Sequence, residues 1–179
     1  MVTGGLDDAV IRAALQVIEA GKLGQLVLDD LRLDDLEHIS WSGGPSTLRA
    51  VARALHRVAA GEVEYLAVRA PGGQPVAKLG IDYLAHSHAG TFWQFATHPR
   101  LQGLGLGTRL IGEGERRIRR RGVVWAILGV EDNNPRARAL YERLGYVPWR
   151  REGASWQRED KHGIPRLYAT GVVLLRKLV

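Results

Sequence analysis

The sequence predicts an α/β (α+β) domain in which helices flank a sheet. Several stretches repeat apolar residues at helical spacing. Between them lie short runs that alternate in polarity or are wholly apolar, as strands do. Clusters of Gly, Pro, Asn and Ser mark the junctions. A chain of 179 residues fits one domain and is long enough to bury a core. No internal repeat or low-complexity tract interrupts it.

Leu6 to Ala20 reads as an amphipathic helix, with Leu6, Val10, Ala13, Ala14, Val17 and Ile18 on one side. Gly21 and Gly24 end it. Residues 1–24 form a helical extension ahead of a main domain at 25–179. Gln25 to Leu33 alternates and reads as the first strand, and Asp34 to Ile39 as a short helix. Ser40 to Ser46 is a loop by its turn residues. Ser46 or Thr47 can cap a helix running to about Ala60, with Leu48, Val51, Ala52, Leu55 and Val58 inward. Glu64–Arg69 and Val76–Tyr83 read as a hairpin around Pro71-Gly72-Gly73-Gln74. Thr91–Thr97 is a strand and Gly107–Arg121 a helix. The apolar run Val123–Val130 is a buried strand. Asn133 or Asn134 can cap the next helix, with Pro135 at its first position and Gly145 at its stop. Ala137, Leu140, Tyr141 and Leu144 share one face of that helix. Val147–Trp156 and Leu167–Leu178 are two closing strands. Gln157–Arg166 between them is polar and flexible in composition.

Composition narrows the chemistry. The chain has no cysteine, which removes disulfides, thiolate metal sites and a Cys nucleophile. No apolar stretch is long enough to span a bilayer. Met1 to Asp8 lacks the pattern of a signal peptide, so a cytoplasmic location and no membrane partner are expected. The net charge is +6. Its densest cluster is Arg116-Arg117 with Arg119-Arg120-Arg121, at the end of the Gly107 helix, where cations complement the helix dipole. A nucleic-acid patch would interleave aromatics there, and this segment has none.

The most telling segment runs from Phe95 to Leu110: a strand, a glycine-rich turn, then the first turn of a helix. Alternate glycines let the backbone approach a ligand and aim several N–H groups one way. The helix start adds its unpaired amides and positive dipole end. Such a seat suits a diphosphate. A nucleotide P-loop needs a Lys after its last Gly, but Thr108 and Arg109 follow Gly107. The dinucleotide fingerprint needs a Gly three residues after Gly105, where Thr108 stands. Gln102-Gly103-Leu104-Gly105-Leu106-Gly107 instead fits the Gln/Arg-x-x-Gly-x-Gly/Ala loop for the pyrophosphate of coenzyme A.

Downstream, Asn133-Asn134-Pro135-Arg136-Ala137-Arg138-Ala139-Leu140-Tyr141-Glu142-Arg143-Leu144-Gly145-Tyr146 matches Asn-x-x-Ala-x-x-Leu-Tyr-x-x-x-Gly-Phe, with Tyr146 in place of the Phe. With both motifs in order, the chain resembles the GCN5-related N-acetyltransferase (GNAT) superfamily. The resemblance covers residues 60–150 well and the flanks in outline. It implies a mixed, mostly antiparallel sheet flanked by helices. The strands before the glycine loop and before Asn134 splay apart, and the N-terminal helix is an addition. It implies acetyl-CoA as co-substrate, no metal, an amine acceptor, and a homodimer as one assembly.

The resemblance also implies roles. Tyr141 matches the tyrosine that protonates the departing thiolate. Asn134 matches a residue that bonds the pantetheine arm or a water, beside its capping role. Backbone amides of Gly103, Leu104, Gly105, Leu106, Gly107 and Thr108 hold the pyrophosphate, with Gln102 opening the loop. Phe95, Ala96 and Thr97 offer main-chain bonds to pantetheine, as an added strand would. Many relatives carry a basic Glu where this chain has Gln94, and others where it has Gly129. Asp82, His86, His88, Glu131, Asp132 or a water chain remain as proton acceptors. His86 and His88 alone make a weak metal pair, and His98 reads as a turn residue. Trp41, Trp93, Trp149 and Trp156 can wall an acceptor pocket, and Asp34, Asp35, Glu37, Glu159 and Asp160 can attract a cationic amine. A peptide amine, a polyamine, an aminoglycoside and a small metabolite all stay open. The missing Glu leaves a non-catalytic acyl-CoA sensor as a second class, and the Arg cluster a nucleic-acid binder as a third.

Overall fold

The computed structural model describes residues 6–159 and 164–179. Helix α1 (Asp8–Glu19) is capped by the Asp7 side chain, which accepts from the Ala9 amide at 3.0 Å. Its Ile11 and Ala14 are buried in the core shared with the sheet. Gly21 follows with φ +70°, the left-handed conformation that glycine adopts without a Cβ clash.

Strand β1 (Val27–Asp30) is shorter than the Gln25–Leu33 reading. Tight 3₁₀ turns at Leu23–Gln25 and Leu33–His38 consume its ends. Asp35 fixes the second turn by accepting from the Arg32 amide and from both terminal nitrogens of Arg69 at 2.7 and 2.9 Å. Burial opposes its charge, but Arg69 and the Arg32 amide outweigh that and hold the carboxyl below its usual range. Helix α2 (Pro45–His56) begins earlier than Ser46 or Thr47 would place it. Gly44 is the N-cap, with Pro45 pre-set at the first helical position. The helix also stops before Ala60. Val58 is therefore exposed, and Ala54 takes the inward place instead.

Strands β2 (Val63–Arg69) and β3 (Pro75–Asp82) form the expected hairpin, and β4 (Ala89–Thr97) pairs antiparallel with β3. Side chains alternate across β2. Val63, Tyr65 and Ala67 meet α2, whereas Leu66 and Val68 meet the opposite core. Both faces are covered, so these strands read as near-continuous burial. The opposite core is filled by α3 (Leu106–Arg120), whose Leu110, Ile111 and Ile118 pack on Leu79 and Phe92.

Strand β5 (Trp125–Glu131) runs parallel to β4, and α4 (Pro135–Arg143) follows. Strands β6 (Val147–Glu159) and β7 (Pro165–Leu178) close a seven-stranded sheet in the order β1-β2-β3-β4-β5-β7-β6. Regular pairing runs through much of the segment read as polar and flexible, out to Glu159↔Pro165; residues 160–163 lie outside the described residues. Tyr146 donates to buried Glu115 at 3.0 Å, and Lys177 balances that carboxylate at 2.9 Å. The phenol that departs from the motif's Phe thus has a built partner.

The arginine cluster at the end of α3 is largely spent on ion pairs. Arg117 reaches Asp30, Glu64 and Glu113. Arg116 and Arg120 also reach Glu113. Arg121 lies 3.9 Å over the Tyr83 ring. Among the described residues, no helix is long and apolar enough to cross a membrane.

Candidate active site

Strands β4 and β5 pair only from Ala89↔Trp125 to Phe92↔Leu128. Beyond that they part, leaving a wedge-shaped cavity of about 250 Å³. The cause is local. Between Gly80↔Trp93 and Lys78↔Ala96 the β4 strand carries one extra residue, and Gln94 sits there at φ +45°. A bulge bends its strand and strengthens the twist. It also puts two consecutive side chains on one face. Trp93 packs on the Tyr65 ring at 5.9 Å, and Gln94 Oε1 accepts from the Tyr65 hydroxyl at 2.8 Å.

Lys78 supports this bend from β3. Its Nζ donates to the Gln94 carbonyl at 3.0 Å and to the Tyr65 hydroxyl at 3.2 Å. The side chain is 1% exposed. Burial pushes its pKa down from 10.5 to about 7. A non-glycine residue at positive φ stores strain that surrounding contacts must hold. Lys78 and Tyr65 are those contacts. Neither was found from sequence, because a lone Lys or Tyr in an alternating strand reads as ordinary.

A longer groove of about 750 Å³ continues from the wedge to the glycine turn. Gly103 and Gly105 have φ +81° and +90°, and Gly105 is the α3 N-cap with no side chain closing the helix start. Amides at that end are left for a ligand. Gly107 has a different reason: a Cβ there would come 2.7 Å from the Phe95 ring. Every cofactor-binding residue named from sequence lines this groove except Leu104, which turns outward. Sequence reading missed Arg136 and Arg143 on α4 and Ser42, which also line it, whereas Trp41, read as a wall of an acceptor pocket, lines this groove. The Arg136 guanidinium lies over the turn, 3.1 Å from where a Gly103 Cβ would be.

Asn134, not Asn133, is the α4 N-cap, and its side chain accepts from the Ala137 amide at 3.1 Å. Asn133 donates instead to the Tyr168 hydroxyl at 3.1 Å. Tyr141 lines both the wedge and the groove. It is 7% exposed, and burial pushes its pKa up to about 12, which keeps the hydroxyl a donor. Phe95 and Tyr146 hold the ring at 6.5 and 6.4 Å between centroids.

The candidate proton acceptors separate by place. Asp82 is held by Arg57 at 2.9 Å and by the Leu84 and Ala85 amides. Asp132 is paired with Arg151. His86 bonds Thr91 at 3.0 Å and stacks edge-on to Trp149. None of these, nor His88, lines the wedge, whereas Glu131 does. His98 caps the short turn Pro99–Leu101, as its turn reading implied.

The fold and its groove set the frame in which comparison with known proteins gives the family. Residues 30–146 match the acetyltransferase (GNAT) family, and the chain belongs to that family. A segment of 64 residues is 36% identical to a mycothiol acetyltransferase of Paenarthrobacter aurescens (strain TC1); it covers 36% of this chain and spans about a fifth of that relative, 20% of its length. A ribosomal-protein-alanine N-acetyltransferase from Brucella melitensis superposes with a TM-score of 0.65 at 16% identity, covering 86% of this chain and 100% of the other. The PaiA N-acetyltransferase of Thermoplasma acidophilum, solved with coenzyme A, gives 0.62 at 12% identity over 87% and 99% of the two chains. These structural likenesses show a shared fold.

Proposed function

We propose that this chain moves an acetyl group from acetyl-CoA to a primary amine by direct attack, with both substrates bound at once. One observation carries the reading. A single tyrosine, Tyr141, faces both the parted strands and the groove that ends at the glycine turn. The pyrophosphate fits the open amides of Gly105 to Thr108. The amide-bearing arm fits the unpaired edge of Phe95 to Thr97. The thioester then lies in the wedge beside a buried hydroxyl that donates to the departing sulfur.

The test is thiol release from acetyl-CoA across a panel of amines, with coenzyme A binding followed by thermal shift. Release with one amine class is expected. In Tyr141→Phe, turnover should fall about 100-fold while coenzyme A binding stays as in the wild type. Coenzyme A binding without release for any amine would instead favour an acyl-CoA sensor.

A further inference from the structure

We propose that Glu131 takes the proton from the incoming amine and that Tyr168 positions it for that step, an inference that rests on the acetyltransferase reading above. Among the described residues lining the wedge, Glu131 is the sole carboxylate and Tyr141 the sole other ionisable group. Glu131 ends β5, where the strand has already parted from β4.

Its orientation follows from strand alternation. Val130 packs into the core that holds Tyr141. Glu131, next in the strand, therefore projects from the opposite face. A proton acceptor and a proton donor thus reach the wedge from its two sides. That is the arrangement needed when an amine enters from one side and a thiolate leaves toward the other.

The carboxylate is also held. The Tyr168 hydroxyl, from β7, donates to Glu131 Oε2 at 2.8 Å. Asn133 in turn donates to that hydroxyl at 3.1 Å. Tyr168 therefore spends its proton on Glu131, which fixes the carboxylate's rotamer. Tyr168 from β7 bonds Glu131 directly, Asn133 from the turn reaches it through that hydroxyl, and Tyr141 from α4 lines the same wedge. Asp132, next along, is taken by Arg151 from β6.

The step balances as follows. Glu131 takes one proton from the ammonium and frees the nitrogen lone pair. That pair forms the C–N bond at the thioester carbon. The C–S bond breaks with its electrons on sulfur, and Tyr141 gives sulfur a proton. A second nitrogen proton returns to Tyr141 through water, and the proton on Glu131 passes to solvent.

The test compares wild type, Glu131→Gln and Tyr168→Phe with the best amine of the panel. Glu131→Gln should lose about 100-fold in kcat at neutral pH and keep coenzyme A affinity. Its rate should recover toward pH 9–10, as solvent deprotonates more of the amine. Tyr168→Phe should keep more activity than Glu131→Gln and lose it in kcat alone, with the amine KM and coenzyme A affinity unchanged, since an unheld carboxylate meets the amine in the right geometry less often. A purely structural role for Tyr168 would instead move KM, coenzyme A affinity and melting temperature together. Full turnover by Glu131→Gln with an unchanged pH profile overturns the role of Glu131 alone. No thiol release by wild type with any amine overturns the acetyltransferase reading and this inference with it.

Discussion

The Lys78 Nζ donates to the main-chain carbonyl of Gln94 at 3.0 Å, from one strand to the extra residue of the next. The contact holds the bend that opens the wedge. It also ties stability to pH. Between about pH 7 and pH 10 the unfolded chain keeps the Lys78 proton and the native chain mostly does not. Stability therefore rises with pH across that window, and the full penalty for the buried charge is felt below it. Lys78→Met removes the term. Urea unfolding at several pH values should show a smaller rise for the variant than for the wild type. Parallel curves would mean that Lys78 stays protonated in the native state.

Gly105 should be indispensable for a different reason. Its φ of +90° suits no β-branched residue, and a Cβ would meet Leu23 at 3.0 Å. Gly105→Val costs about 1–3 kcal/mol in backbone strain, and it turns the first amides of α3 away from their target. Coenzyme A affinity should fall by more than about tenfold, or 1.4 kcal/mol, while the variant still melts cooperatively at a lower temperature. Calorimetric titration and thermal melts read both effects. Unchanged affinity would move the pyrophosphate elsewhere.

Arg136 lies over the glycine turn with its guanidinium open to the groove. Arg138, two residues on, is paired with Glu142 at 2.8 Å and does not line it. Arg136→Ala should weaken coenzyme A binding by roughly three- to tenfold and flatten its salt dependence. Arg138→Ala should do neither. Equal effects from the two variants would point to general electrostatic attraction rather than a contact at the phosphates.

Local chemistry made much of this molecule legible. The Asn134 cap, Pro135 and Gly145 each have a fixed meaning at a helix end, so α4 falls where the residues put it. The glycine turn is equally explicit. The bulge at Gln94 was not legible, because a left-handed residue there carries no glycine to announce it. Lys78 and Tyr65 were missed since their burial depends on α2 covering that face. Tyr168 and Glu131 are 37 positions apart, and only the β5–β7 pairing joins them. The limits of β1 and α2 were misjudged where 3₁₀ turns and a glycine cap replaced the expected residues.

The bend at Gln94 also constrains redesign. An engineer wishing to restore the missing acid would choose Gln94→Glu. That side chain faces Tyr65, whose hydroxyl is shared with Lys78. The new carboxylate would stand one hydroxyl away from a buried amine and would become half of an internal zwitterion. Although position 94 lines the wedge, the graft would share its charge with Lys78 before it met the reacting amine.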